Sequence, residues 1–162
     1  MTKESKYQFK DIEKKLLKAI SILQKRDAIF LDSDFDINER TVTHRLGIYL
    51  ATLFSELDVD CEYNRQYDDA TDEYISKNVD LPILKNGEIL KDTEAKTVFP
   101  DIIIHRRKTS FNLLAIEVKM GWKNSKGLFD EVKAEAYKKV LGYRHSVYLI
   151  IGPNNYFNIR WI

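Results

Sequence analysis

Hydrophobic positions along the chain change period from helix to strand. Phe9, Ile12, Leu16, Ile20 and Leu23 recur at three- and four-residue spacing, which predicts an amphipathic helix over roughly residues 5 to 28. The segment FLDSDFDIN breaks that pattern and offers capping residues. Val42, Leu46, Tyr49, Leu50, Leu53 and Leu57 then mark the buried stripe of a second helix, from about Glu39 to Leu57. CEYNRQY (61–67) reads as a strand and the acidic DDATDEYISKNVD as irregular chain. LPILKNGEILK suits a short hairpin turning on Asn86-Gly87.

Two apolar runs follow, DIII and LLAI, joined by the polar turn HRRKTSFN. Asn124 or Ser125 can cap a third helix, about 126–141, which Gly142 ends. SVYLIIG (146–152) is apolar on both faces, as a central strand should be, and YFNIRWI is a last strand. The expected architecture is a single α/β domain over residues 1–162. It has a mixed sheet flanked by helices and a core order of helix, strand, strand, strand, helix, strand. One more helix stands in front and one more strand behind.

Composition narrows the classes. At 44% hydrophobic and 31% charged residues, the chain is an ordinary globular one with enough apolar material for one core. Its apolar runs are of strand length, which predicts no membrane span, and the charged N-terminus does not read as a signal peptide. Cys61 alone allows neither a disulfide framework nor a cysteine metal cluster, so cytoplasmic residence is the default expectation. Net charge is only +1, but it is segregated: residues 56–101 hold thirteen acids against five bases. Such segregation suits a basic face opposite an acidic one, and equally suits solvated surfaces with no single partner.

The chemistry concentrates at the ends of the apolar hairpin. Side chains alternate along a strand, so Glu117 and Lys119 share a face. With the turn centred on Thr109, Asp101 falls opposite Glu117 on that face. Ile102, Ile104, Leu114, Ile116 and Val118 then form a coherent core set on the other, a sorting that a one-residue slip would destroy. Two carboxylates held together repel unless a cation lies between them. Mg²⁺ suits that place, with the Val118 carbonyl as a further oxygen and Lys119 beside an attacked phosphate. A cross-strand ion pair explains the same residues without metal. Glu-x-Lys itself carries no weight, since it occurs five times, whereas the Pro-Asp at residue 100 is the only one. Glu39 continues the buried stripe of the second helix and so wants a partner. It also fits position N3 of a capping box begun by Asp36.

An acidic residue on a helix, Pro-Asp on one strand, Glu-x-Lys on the next, then a helix and a strand: this order resembles the PD-(D/E)xK nuclease superfamily. It is similar above all to small standalone bacterial members, with PDIIIHRR, NLLAIEVK and EYNR as the extended stretches. The resemblance covers most of residues 37–152. It implies a restriction-endonuclease-like fold of core order αβββαβ, with Asp101 and Glu117 as metal ligands, Lys119 as the catalytic lysine and Glu39 as the helix carboxylate supporting the metal. It further implies Mg²⁺ or Mn²⁺ as cofactor and hydrolysis of a phosphodiester by water, with DNA favoured over RNA. A homodimer is expected where both strands are cut. The alternative from another class is a catalytically inactive module of the same fold that binds nucleic acid or a protein.

Further candidates are tied to a cleft by position. His105 lies on the face of Asp101, where it would contact a phosphate or simply bond a nearby backbone group. Arg106, Arg107 and Lys108 crowd the turn, where a phosphate backbone or plain solvent would meet them. Arg65 would project from the strand expected beside Pro100-Asp101. Lys133 and Tyr137, one turn apart on the third helix, would line the cleft or form the outer half of an amphipathic helix. The three histidines lack zinc spacing, and Cys61 between Asp60 and Glu62 is a poor thiolate.

Overall fold

The computed structural model describes residues 7–85, 88–123 and 127–162. Helix α1 spans Phe9–Arg26 and buries Ile12, Leu16, Ala19, Ile20 and Leu23, the predicted stripe apart from the exposed Phe9. Two short 3₁₀ turns, Ala28–Leu31 and Ser33–Phe35, lead to α2, Glu39–Leu53. The strands are β1 (Asp58–Cys61), β2 (Arg65–Asp68), β3 (Glu73–Ser76), β4 (Asn78–Lys85), β5 (Glu88–Thr97), β6 (Ile102–His105) and β7 (Asn112–Met120). Helix α3 (Gly127–Lys139), β8 (His145–Ile151) and β9 (Phe157–Trp161) complete the chain. Among the described residues no helix is long and apolar enough to cross a membrane.

Five strands form one mixed sheet in the order β1-β6-β7-β8-β9. Only the β7–β8 pair is parallel, and α3 supplies the crossover that a parallel connection requires. The β6–β7 register pairs Ile102 with Ile116, Ile103 with Ala115 and Ile104 with Leu114, as predicted. A bulge shifts the pairing at His105. The central strands β6, β7 and β8 are buried on both faces. One, carrying Ile102, Ile104, Leu114, Ile116 and Val118, meets the stripes of α1 and α2. The other, carrying Ile103 and Ala115, meets Tyr137 of α3 together with Leu141, Tyr143 and the start of β4.

Four local expectations are corrected. Helix α2 stops at Leu53, although Leu53 and Leu57 still pack against the core. The strand expected over 61–67 is two: β1 begins earlier, at Asp58, and the chain leaves the sheet at Glu62, whose φ of 50° is left-handed. The acidic stretch expected to be irregular pairs instead as the β2–β3 hairpin, and its end begins the longer β4–β5 hairpin. Finally, Asp36 does not cap α2. It is itself left-handed (φ 43°), and the side chain of Asn38 accepts the amide of Arg40 at 2.9 Å. The expected Asn86-Gly87 turn and the Asn124/Ser125 cap lie outside the described residues.

Two contacts hold the inserted hairpins and β1 in place. Lys77, fully buried between β3 and β4, donates its ammonium to the carbonyls of Tyr63 (2.8 Å) and Arg65 (2.6 Å), and burial lowers its pKa to about 8. Gly47 of α2 faces β1 so closely that an added Cβ would stand 2.8 Å from Cys61 Sγ. Gly47→Ala is therefore expected to destabilise the fold by about 1–2 kcal/mol through overpacking. In a Cys61→Ala background the same change should be neutral or stabilising by up to about 1 kcal/mol, the gain in helix propensity. Urea denaturation of the four proteins of this cycle measures the reversal.

Candidate active site

The β6–β7 register puts Asp101, which immediately precedes β6, across from Glu117 in the middle of β7. The backbone fixes Asp101 on both sides. Its Oδ2 accepts the amide of Val118 at 2.7 Å, and its carbonyl accepts the amide of Glu62 at 3.2 Å. Glu117 lies between β6 and β8 beneath α3, with its side chain only 5% exposed. Both of its oxygens are held from that helix: Oε2 by the ammonium of Lys133 at 2.8 Å, Oε1 by the hydroxyl of Tyr137 at 2.5 Å. Burial raises the pKa of Glu117 against the pull of Lys133 and Tyr137. Burial and then the charge of Glu117 push Asp101 up to about 8, opposed by the Val118 amide.

Lys119 points to the same cluster. Its ammonium stands 3.8 Å from Glu39 Oε1 and 3.8 Å from Asp130 Oδ2. Glu39, the first residue of α2, reaches the end of β7, where its Oε2 accepts the amide of Met120 at 3.1 Å. Asp130 also meets Lys133, at 3.1 Å. Charges thus alternate from Glu39 through Lys119, Asp130 and Lys133 to Glu117, across α2, β7 and α3. With Asp101 included, four carboxylates face two ammoniums. The excess is concentrated at Asp101, which senses the charge of both Glu117 and Glu39.

That excess decides what the cluster suits. Among the described residues no group of three or more His, Cys, Asp or Glu side chains is placed to hold a metal ion, and Glu39 bonds the Met120 amide instead of standing with Asp101 and Glu117 as a third carboxylate. Two carboxylates with the Val118 carbonyl are nevertheless the hard-oxygen set that Mg²⁺ uses when it keeps several waters. A carboxyl held up to about 8 beside a second buried acid fits a place where a divalent cation would restore the charge balance. Asp101 and Glu39 open onto a groove of about 460 Å³ that Arg40, His44 and Glu62 also line. Arg40 pairs with Glu62 at 2.8 Å.

Lys133 and Tyr137 are inward residues of this cluster, not the outer half of α3. Asp130, Arg40 and His44 were not singled out from sequence. For Asp130 the three-residue step to Lys133 was the available signal. Three other candidates lie elsewhere. His105, about 13 Å along β6 from Asp101, is buried and bonds a carboxylate, not backbone: its Nε2 meets Asp60 Oδ2 at 2.8 Å. The side chain of Arg107 pairs with Asp60 and Asp58, and its amide donates to Asp58 Oδ2 at 2.8 Å. Arg65 sits in β2, not beside Asp101, and bonds Ser76 Oγ at 3.0 Å.

The Asp60 cluster is a fastening of edge strand β1. Burial alone would raise Asp60, but the bonds from His105 and Arg107 outweigh it and hold the carboxyl at about 2. Because the folded pKa is the lower one, this stabilisation is present above about pH 4 and lost as pH falls through 2. Asp60→Asn is expected to cost about 1–2 kcal/mol at pH 7, discounted for partial exposure. Chemical denaturation at pH 7 measures it. The Cys61 thiol is pushed up to about 11 by burial and by Asp60, Asp101 and Glu62, which keeps it protonated.

Comparison of the chain with protein-family models, with curated proteins and with solved structures found no match.

Proposed function

We propose that this chain is a divalent-metal-dependent nuclease of the PD-(D/E)xK type, acting on DNA. The observation that carries the reading is Asp101 set beside Glu117, with Lys119 reaching the same cluster through Glu39 and Asp130, and with more carboxylates than the nearby lysines balance. The element order α2, β1, β6, β7, α3, β8, interrupted by two hairpins, supports a restriction-endonuclease-like core.

Asp101 and Glu117, with the Val118 carbonyl, would hold Mg²⁺ or Mn²⁺. The bound ion would supply positive charge against the phosphate oxygens and favour ionisation of water. The residues of the chain do the rest. The Val118 amide aims Asp101, while Tyr137 and Lys133 fix the rotamer of Glu117. At 3.8 Å from each carboxylate, Lys119 is beyond hydrogen-bond distance of both. Its protons are therefore available to a phosphate oxygen or to the attacking water, and only 22% of the side chain is exposed. Glu39 and Asp130 keep that ammonium centred. In the reaction the water oxygen bonds to phosphorus, the ester P–O bond breaks, and the departing oxygen leaves as a hydroxyl.

The test incubates the purified protein with labelled single- and double-stranded DNA and RNA, each with Mg²⁺, with Mn²⁺ and with chelator. Cleavage of DNA that chelator abolishes is the expected result. Binding of nucleic acid without cleavage in any metal would replace the proposal with a non-catalytic module.

A further inference from the structure

Glu117 holds a cation already. The Lys133 ammonium sits 2.8 Å from Oε2, the oxygen that Tyr137 leaves open, and the carboxylate is almost wholly buried. A Mg²⁺ ion bonds oxygen at about 2.0–2.1 Å, so an ion on Oε2 would meet the ammonium at close range. Two like charges a few ångströms apart in a buried site repel strongly. Lys133 has a second seat, since Asp130 Oδ1 lies 3.1 Å from the same nitrogen. A flexible four-carbon stem can swing the ammonium towards Asp130 while Tyr137, a neutral donor, keeps its bond to Oε1.

The geometry points to Lys133 as an internal counter-ion that competes with the divalent cation for Glu117 and yields to it by moving onto Asp130. Lys133 then sets the metal affinity of the site, and Asp130 is the residue that makes its displacement inexpensive. This rests on the reading of Asp101 and Glu117 as metal ligands.

Calorimetric titration with Mn²⁺, paired with thermal denaturation with and without the ion, tests it on wild type, Lys133→Met, Lys133→Gln, Asp130→Asn and Asp101→Asn. Both Lys133 variants are expected to bind Mn²⁺ about tenfold tighter or more, the factor that 1.4 kcal/mol of relieved repulsion gives. Without metal they should melt below wild type, because a buried acid has lost its partner, and Mn²⁺ should raise their Tm more than that of wild type. Asp130→Asn, whose second seat has lost its charge, should bind Mn²⁺ more weakly than wild type. Lys133→Gln keeps a hydrogen-bond donor for Glu117 and serves if the methionine variant does not fold. Unchanged or weaker binding by the Lys133 variants, with binding lost in Asp101→Asn, would overturn the competition and leave the metal site standing. No Mn²⁺ binding by wild type or by either Lys133 variant would overturn both.

Discussion

Lys119→Ala is expected to lower metal-dependent DNA cleavage by about 10²–10³-fold, the usual cost of removing one donor aimed at developing charge. The fold should survive. Among the described residues the Lys119 ammonium is held only by its two 3.8 Å ion pairs, and each acid it leaves has another partner: Met120 for Glu39, Lys133 for Asp130. Single-turnover cleavage at saturating Mg²⁺ measures the effect, with Mn²⁺ affinity by calorimetry as the control. A large rate loss with retained metal binding assigns Lys119 to the reaction. An equal loss of both would make it a support for the metal ligands. An unchanged rate would remove it from the mechanism.

Asp101→Asn should have the second large effect, and its sign depends on pH. The Asp101 carboxyl stands at about 8 in the folded chain against an ordinary 3.8, so the folded state binds this proton more tightly. Its contribution to stability is complete below about pH 4 and is lost as pH rises through 8. In chelator, wild type should therefore lose stability between pH 5 and 8.5, and the variant should lose less. The difference should reach about 2–3 kcal/mol at the upper end, discounted from the full linkage value for relaxation of the site. Part of the slope belongs to Glu117 and remains, since burial raises that acid too. Adding Mg²⁺ should reverse the order, because only wild type keeps both ligands. Denaturation midpoints across this range, with and without metal, decide the matter. Identical slopes in the two proteins would mean that Asp101 ionises freely in the fold.

The β6–β7 hairpin is legible in the sequence for a definite reason. Its two faces differ so sharply in polarity that a single register satisfies both, so Ile102↔Ile116 and the placement of Asp101 against Glu117 followed from alternation. Helices α1 and α2 were legible from their apolar stripes. The edge strand β1 was not. Asp58-Val-Asp-Cys carries charge because Asp60 meets His105 and Arg107, a contact between residues 45 and 47 positions apart. The β2–β3 hairpin hid behind its acids for the same kind of reason. A short, half-exposed ladder needs little apolar material, and its pairing is between backbones.

The cap of α2 turned on conformation. Asp36 and Asn38 both suit the role by residue type, and the left-handed Asp36 leaves it to Asn38. That frees Glu39 from a capping role and lets it reach Met120 and Lys119. The inward turn of Lys133 and Tyr137 was ambiguous in the sequence. Their direction follows from Glu117, because a carboxylate buried under α3 draws the donors of that helix towards it.

Asp101 and Glu117 together are the proposed seat of a divalent cation. A crystal grown with Mn²⁺ and measured for anomalous scattering tests this in one map. The predicted result is a single strong peak within coordination distance of Asp101, Glu117 and the Val118 carbonyl, with the Lys133 ammonium moved towards Asp130. Fully occupied Mn²⁺ elsewhere on the chain, with Lys133 still on Glu117 and no peak between the two carboxylates, would contradict it.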